Sequence, residues 1–172
     1  MSLGSYKDLL AACRSGNLAQ AKKLVAEGAN LNYRDVRNEI TPLMVAIEQK
    51  QTRIMDWLLW EKTVDVDRYN KHRNTALHYA SRFSSDGVMV AMLGNRMERD
   101  TVNMPNVDGK TAALLAVEWD NGNPRVLQGL LSVKSVDWDT GDKNGKSLLE
   151  IARFVVFIMN LFIIHYLQQN WK

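Results

Sequence analysis

Apolar positions along the chain fall into short runs separated by polar stretches, and the runs recur in order. The first kind of run reads "KDLLAA" (7–12), "TPLMVA" (41–46), "TALHYA" (75–80), "TAALLA" (111–116) and "SLLEIA" (147–152). From Thr41 to Thr75 the step is 34 residues, and from Thr75 to Thr111 and Thr111 to Ser147 it is 36. A fixed period in the range of about 20–50 residues is the signature of a repeat architecture. A second marker keeps the same period as an apolar residue between polar ones: "NLN" (30–32), "DVD" (65–67), "TVN" (101–103) and "DWD" (137–139).

Within a unit the pattern predicts two helices. Thr41, Thr75, Thr111 and Ser147 are hydroxyl residues placed to accept the first free backbone N–H groups of a helix, and Pro42 suits the first helical turn. Ser147 with Glu150 spells a capping box. An alanine closes every run (Ala12, Ala46, Ala80, Ala116, Ala152), small enough to let neighbouring helices approach. Polar breaks such as "RSGN" (14–17) follow, then a second apolar stripe: Leu24 and Val25, Leu58 and Leu59, Met92 and Leu93, Leu130 and Leu131. Gly28 fits a left-handed helix end. Between units lie polar hairpin loops, "YRDVRNEI" (33–40), "RYNKHRN" (68–74), "MPNVDGK" (104–110) and "TGDKNGK" (140–146), with turn signals at Asp108–Gly109 and Asn144–Gly145.

These residues resemble the ankyrin repeat family, whose motif T-P-L-H-x-A is matched best by "TALHYA" and "TPLMVA". The resemblance implies an all-α solenoid of about five units, each a helix-turn-helix with a β-hairpin finger. The units fall near 6–32, 33–67, 68–103, 104–139 and 140–172, with 1–5 left as an N-terminal tail. Only His78 holds the motif histidine, since Leu10, Met44, Leu114 and Glu150 take its place elsewhere, so the family's Thr-to-His hydrogen bond is expected in the third unit alone. Units three and four are stretched near Ser84 and Asn121, and "EKT" (61–63) and "VKS" (133–135) lack the usual glycine after the outer helix. One unit cannot bury its own apolar faces, so stacked copies supply each other's walls.

Composition leaves this picture in place. With 46% hydrophobic and 24% charged residues the chain is an ordinary globular one, and 22 basic against 19 acidic residues do not point to a nucleic-acid partner. Cys13 is the lone cysteine and no signal-peptide pattern opens the chain, so an intracellular location, cytoplasm or nucleus, is expected. No phosphate loop, metal spacing or paired acid motif is present, and Cys13, His72, His78 and His165 fall in different units, so neither catalysis nor a cofactor or metal is expected.

What the resemblance implies about function is binding of another protein through the hairpin fingers and the inner-helix surface that line a groove. Gln49, Phe83 and Trp119 take one equivalent position at the end of the inner helix, preceded by Glu48, Arg82 and Glu118. Phe83 and Trp119 are either an interface hot spot or aromatics folded inward. Arg34 and Arg37 in one finger, and Arg68, Tyr69, Lys71, His72 and Arg73 in the next, are either a positive groove edge or solvated turn residues. A second function class is an oligonucleotide or nucleotide sensor, since "GKTAALLAVE" (109–118) is similar to ankyrin units of that kind, with Phe83 and Trp119 stacking on bases and Arg73 or Arg82 meeting phosphate. A third is the regulatory arm of a larger enzyme or channel. Protein is the expected partner, and neither nucleic acid nor a membrane is.

The stretch "FVVFIMNLFIIHYL" (154–167) is apolar except for Asn160 and His165, and its 14 residues are too few to span a bilayer. It reads as an ordered cap leaving an apolar patch, with self-association or the start of further structure as the other readings.

Overall fold

The computed structural model describes residues 3–84, 86–118, 123–139, 148 and 157. Among the described residues the helices are α1 (Leu3–Ser15), α2 (Leu18–Ala26), α3 (Pro42–Glu48), α4 (Thr52–Trp60), α5 (Ala76–Phe83), α6 (Gly87–Arg96), the short α7 (Arg99–Val102), α8 (Ala112–Glu118) and α9 (Pro124–Leu131). They form four helix pairs: α1 with α2, α3 with α4, α5 with α6, and α8 with α9. The inner helices α1, α3, α5 and α8 stack in chain order, and on the outer side α6 packs on α4 and α9. This is an all-α repeat solenoid. Of the fifth unit, Leu148 is buried and Phe157 exposed; Ser147 and the rest of the apolar C-terminal stretch lie outside the described residues.

The helix starts follow from the hydroxyl residues. Thr41 Oγ1 accepts from the Met44 N–H at 3.2 Å and Thr111 Oγ1 from the Leu114 N–H at 3.2 Å, with Pro42 in the first turn of α3. The outer helices α2, α6 and α9 are capped by Asn or Asp instead: Asn17 accepts from Gln20 N–H at 3.0 Å, Asp86 from Val88 N–H at 2.9 Å and Asn123 from Arg125 N–H at 3.0 Å. Ala12, Ala46, Ala80 and Ala116 are all buried where the inner helices meet. In the second stripe Leu24, Leu58, Leu59, Leu93 and Leu130 are buried, whereas Met92 and Leu131 face outward, because adjacent helical positions point about 100° apart and only one of a pair normally faces the core.

The polar–apolar–polar triplets join successive units. Their central residues Leu31, Val66 and Val102 are buried. The flanking polar groups carry the hydrogen bonds: Asn32 Oδ1 accepts from Asp65 N–H at 2.8 Å and its Nδ2 donates to the Thr63 carbonyl at 2.7 Å. Asn103 repeats this two joints later, to Asp137 N–H and the Ser135 carbonyl, both at 2.7 Å. The middle joint differs, since α7 occupies the start of the third triplet and Asp67 accepts instead from Glu98 N–H at 2.9 Å. The extra length of the third unit therefore sits partly in α7, besides the turn at Ser84.

A missing glycine is replaced from the neighbouring unit. Where α4 ends without one, the Arg96 guanidinium from α6 donates to the Leu59 carbonyl, to Val64 at 3.1 Å and to Glu61 at 3.3 Å. A cation placed on the free carbonyls of a helix C-terminus is favourable both as hydrogen bonding and against the helix dipole.

On the other flank, α6 and α9 approach so closely that a β-carbon on Gly87 would run into the Arg125 carbonyl, and one on Gly129 into the Gly87 carbonyl.

Candidate partner-binding groove

Each of the three described fingers is shaped by one side chain at its base. Asp35 Oδ1 accepts from Ile40 N–H at 2.8 Å and Asn38 N–H at 3.2 Å. Asn70 Oδ1 accepts from His72 and Asn74 N–H, both at 2.9 Å, and Asn106 Oδ1 from Asp108 N–H at 2.9 Å and Lys110 N–H at 3.0 Å. These turns are self-contained, so the described fingers carry no strand and only one antiparallel bridge, between Tyr69 and Thr75. Asn70 is 2% exposed and its Nδ2 donates to the Tyr79 hydroxyl at 3.1 Å, tying finger to helix. The sequence did carry this signal, as Asp or Asn at 35, 70 and 106 in the repeat period, but a polar residue in a polar loop does not stand out.

Close to each described fingertip one residue takes the left-handed conformation: Glu39 at φ 58°, Arg73 at φ 60° and Gly109 at φ 74°. Glycine does this at no steric cost; Glu39 and Arg73 do not. Glu39 has a local reason in its ion pair with Arg34. Arg73 is exposed, and among the described residues its guanidinium forms no ion pair.

The third unit holds the complete motif. The Thr75 N–H donates to His78 Nδ1 at 3.2 Å, Thr75 Oγ1 lies 2.8 Å from the same nitrogen, and Nε2 lies 3.1 Å from the Lys110 carbonyl. With Nδ1 accepting, the proton sits on Nε2 and bridges to the next finger. Burial holds the His78 pKa down at about 4, although the Lys110 carbonyl pulls the other way. Thr41–Met44 and Thr111–Leu114 keep the hydroxyl cap without this bridge.

Beside this motif opens a cleft of about 170 Å³ lined by Glu48, His78, Tyr79, Phe83, Asn106 and Asp108, among others. Of the two placements open to Phe83, its ring is half-buried and lines this cleft, 5.8 Å centroid to centroid from Tyr79 and with the Arg82 guanidinium carbon 5.2 Å from its centre. Burial raises the Tyr79 pKa, its hydrogen bond with Asn70 opposing the shift. Gln49, Arg82 and Glu118 are exposed at the ends of α3, α5 and α8, and Glu118 pairs with Lys110. Trp119 lies outside the described residues.

The finger cations divide into two groups. Arg34 pairs with Glu39 and lies 5.8 Å over the Tyr69 ring, and Arg68 pairs with Asp65 at 3.0 Å. Arg37, Lys71 and Arg73 are exposed, and Lys71 Nζ donates to the Arg37 carbonyl at 3.0 Å. The fingers are joined in series by backbone bonds: Lys71 N–H donates to Asn38 O at 3.2 Å and Val107 N–H to His72 O at 3.0 Å.

The titratable groups considered for catalysis stay apart. Cys13 is buried in α1 with its thiol pushed up to about 12, and His78, two units away with its pKa held down at about 4, is too weak a base to activate it. His72 is on a fingertip, and His165 lies outside the described residues. Among the described residues no cluster of three or more His, Cys, Asp or Glu could hold a metal, and no helix is long and apolar enough to cross a membrane.

Residues 9–101 match a family model described as ankyrin repeats (3 copies). The chain is similar to Protein lin-12 of Caenorhabditis elegans, 32% identical over 123 residues, which cover 70% of this chain and 8% of that protein. It is also similar to the Nuclear factor NF-kappa-B p105 subunit of Gallus gallus, 26% identical over 137 residues, covering 76% of this chain and 14% of that one. The chain thus spans a small fraction of the length of either relative.

Proposed function

The chain belongs to the ankyrin repeat family, and we propose that it works as a single protein-interaction domain over residues 6–172, binding a partner protein inside the cell through its groove without chemistry of its own. Ankyrin repeats are in general modules of protein–protein interaction. The observation that carries the reading here is Phe83, an aromatic half-exposed in a cleft at the third unit and bordered by Arg82, Glu48 and Asp108. Aromatic and arginine side chains in a recess rimmed by polar groups have the makeup of interface hot spots. In this reading Gln49, Glu118 and Trp119 extend the contact along the inner-helix ends, and Arg34, Arg37, Tyr69, Lys71 and Arg73 meet the partner from the fingers.

Base stacking as the task of Phe83 is less well supported, because Tyr79 and Arg82 already pack against the ring. The regulatory-arm reading gains from the two relatives, in both of which the matched region is a small part of a far longer chain.

The test is a pull-down from cell lysate with the wild type beside a Phe83→Ala, Trp119→Ala double variant, once both melt alike. A protein held by the wild type and released by the variant supports the groove; partners retained equally by both would overturn it.

A further inference from the structure

The fingers are joined in one direction, each donating a backbone N–H to the carbonyl of the finger before it, from Lys71 and then from Val107. Val36 has the same place in the first finger, and among the described residues its N–H has no acceptor. Its side chain is 78% exposed. Among the described residues the edge of the finger row is therefore open on this side, and an open edge donor is what an added extended segment pairs with.

Beside that edge lies a cleft of about 560 Å³ between α1 and the first finger. Its apolar lining comes from Leu10, Tyr33, Val36, Ile40 and Val45. Three cations line it as well: Lys7 and Arg14, which share one face of α1 with Leu10, and Arg37 of the finger. All three are exposed, and among the described residues none has a carboxylate within ion-pair distance, unlike Arg34, Arg68 and Lys110. The one acid that lines the cleft, Asp35, already takes the N–H groups of Arg37, Asn38 and Ile40.

We propose that this cleft receives an extended acidic segment of a partner protein, its carboxylates meeting Lys7, Arg14 and Arg37, an apolar side chain seated on Leu10 and Val45, and its backbone accepting from Val36 N–H. The proposal rests on the interaction-module reading and narrows it to one end of the groove and one partner chemistry. The aliphatic part of the lining and the open edge donor favour a peptide over a nucleic acid, since a peptide brings apolar side chains and backbone carbonyls along with its carboxylates, whereas Tyr33 is the one ring in the lining on which a base could stack.

Panning random dodecapeptides displayed on phage against the full chain tests it. The expected winners carry several Asp or Glu residues around one aliphatic or aromatic residue, and a fluorescein-labelled copy binds in an anisotropy titration. The Lys7→Glu, Arg14→Glu, Arg37→Glu variant should weaken that binding by roughly tenfold or more, since like charges would then face each other. If this variant melts unlike the wild type, Arg37→Glu alone, on an exposed finger, is used and should still weaken binding by about threefold. Winners without an acidic bias, or binding that survives the charge reversal, would sink the proposal. Binding lost instead on Phe83→Ala would leave the interaction-module reading intact while sinking this one. A labelled oligothymidylate dodecamer that displaces the peptide and is equally sensitive to the reversal would reassign the cleft to nucleic acid. No enrichment over bare support would count against both readings.

Discussion

Helix α6 has a neighbour on each side of the outer layer and is held to the two by opposite means. Toward α9 the backbones meet, with Gly87 and Gly129 facing each other and Gly94 leaving room for Val133, whose Cγ2 would lie 2.7 Å from an added β-carbon. Toward α4 the approach is wider, and the gap is bridged by the Arg96 guanidinium on the carbonyls that end α4. A recess of about 510 Å³ lined by Trp60, Met92 and Arg96, among others, remains there, and Trp60 stays 77% exposed. Close packing admits no added atom, whereas a long flexible arm tolerates changes in the distance it spans. The same repeat thus has one joint set by shape and one set by hydrogen bonding.

The contrast is most easily broken at the glycines. Gly129→Ala is expected to cost at least about 3 kcal/mol, because the clashing atom is backbone and cannot swing aside. Urea denaturation would show it as a large drop in midpoint; a wild-type midpoint would mean that α6 and α9 are not in backbone contact.

The inner side of the same joint depends on pH. His78 is held neutral when folded, its pKa lowered from 6.5 to about 4, so its contribution is complete above about pH 6.5 and is lost as pH falls toward 4. Protonation would put a hydrogen on Nδ1, facing the Thr75 donors. The loss is on the order of 3 kcal/mol at the acid end. His78→Leu should flatten the pH dependence of the urea midpoint between those values, and an unchanged slope would refute the assignment.

At the other joint, Arg96→Ala should cost about 2 kcal/mol, less than the glycine variant despite removing three hydrogen bonds, because water can reach the freed carbonyls. Arg96→Lys should recover part of this in the same thermal or urea measurement. The smallest effect has the opposite sign. Arg73→Gly relieves a left-handed backbone and should stabilise the fold by up to about 1 kcal/mol, while weakening any partner bound at the fingers.

The repeat, its helix starts and the central alanines were legible because they depend on local rules repeated at a fixed spacing. Thr41, Thr75 and Thr111 cap their helices, and the His78 bridge occurs in the third unit as its motif requires. Arg96 was not legible: its partners are 32 to 37 residues away and it has no counterpart in the other units' pattern. Nor was the Gly87–Gly129 contact, which depends on how closely two outer helices cross and leaves no mark in composition. The left-handed turns at Glu39 and Arg73 were hidden because neither residue type advertises that conformation. At the groove the sequence could place Phe83 and Arg82 at the end of an inner helix, but not decide which way the ring turns, since that depends on its packing against Tyr79.

Cys13 gives the fold a clock. It is the chain's sole cysteine, 0% exposed, with a thiol that stays protonated at any ordinary pH. A thiol reagent in solution can therefore modify it only during moments when α1 swings away from its neighbours, and under fast reclosing the labelling rate reports the fraction of time spent open. One native sulfur, with no residue introduced, thereby times the loosening of the first unit, and a segment seated between α1 and the first finger would slow that clock.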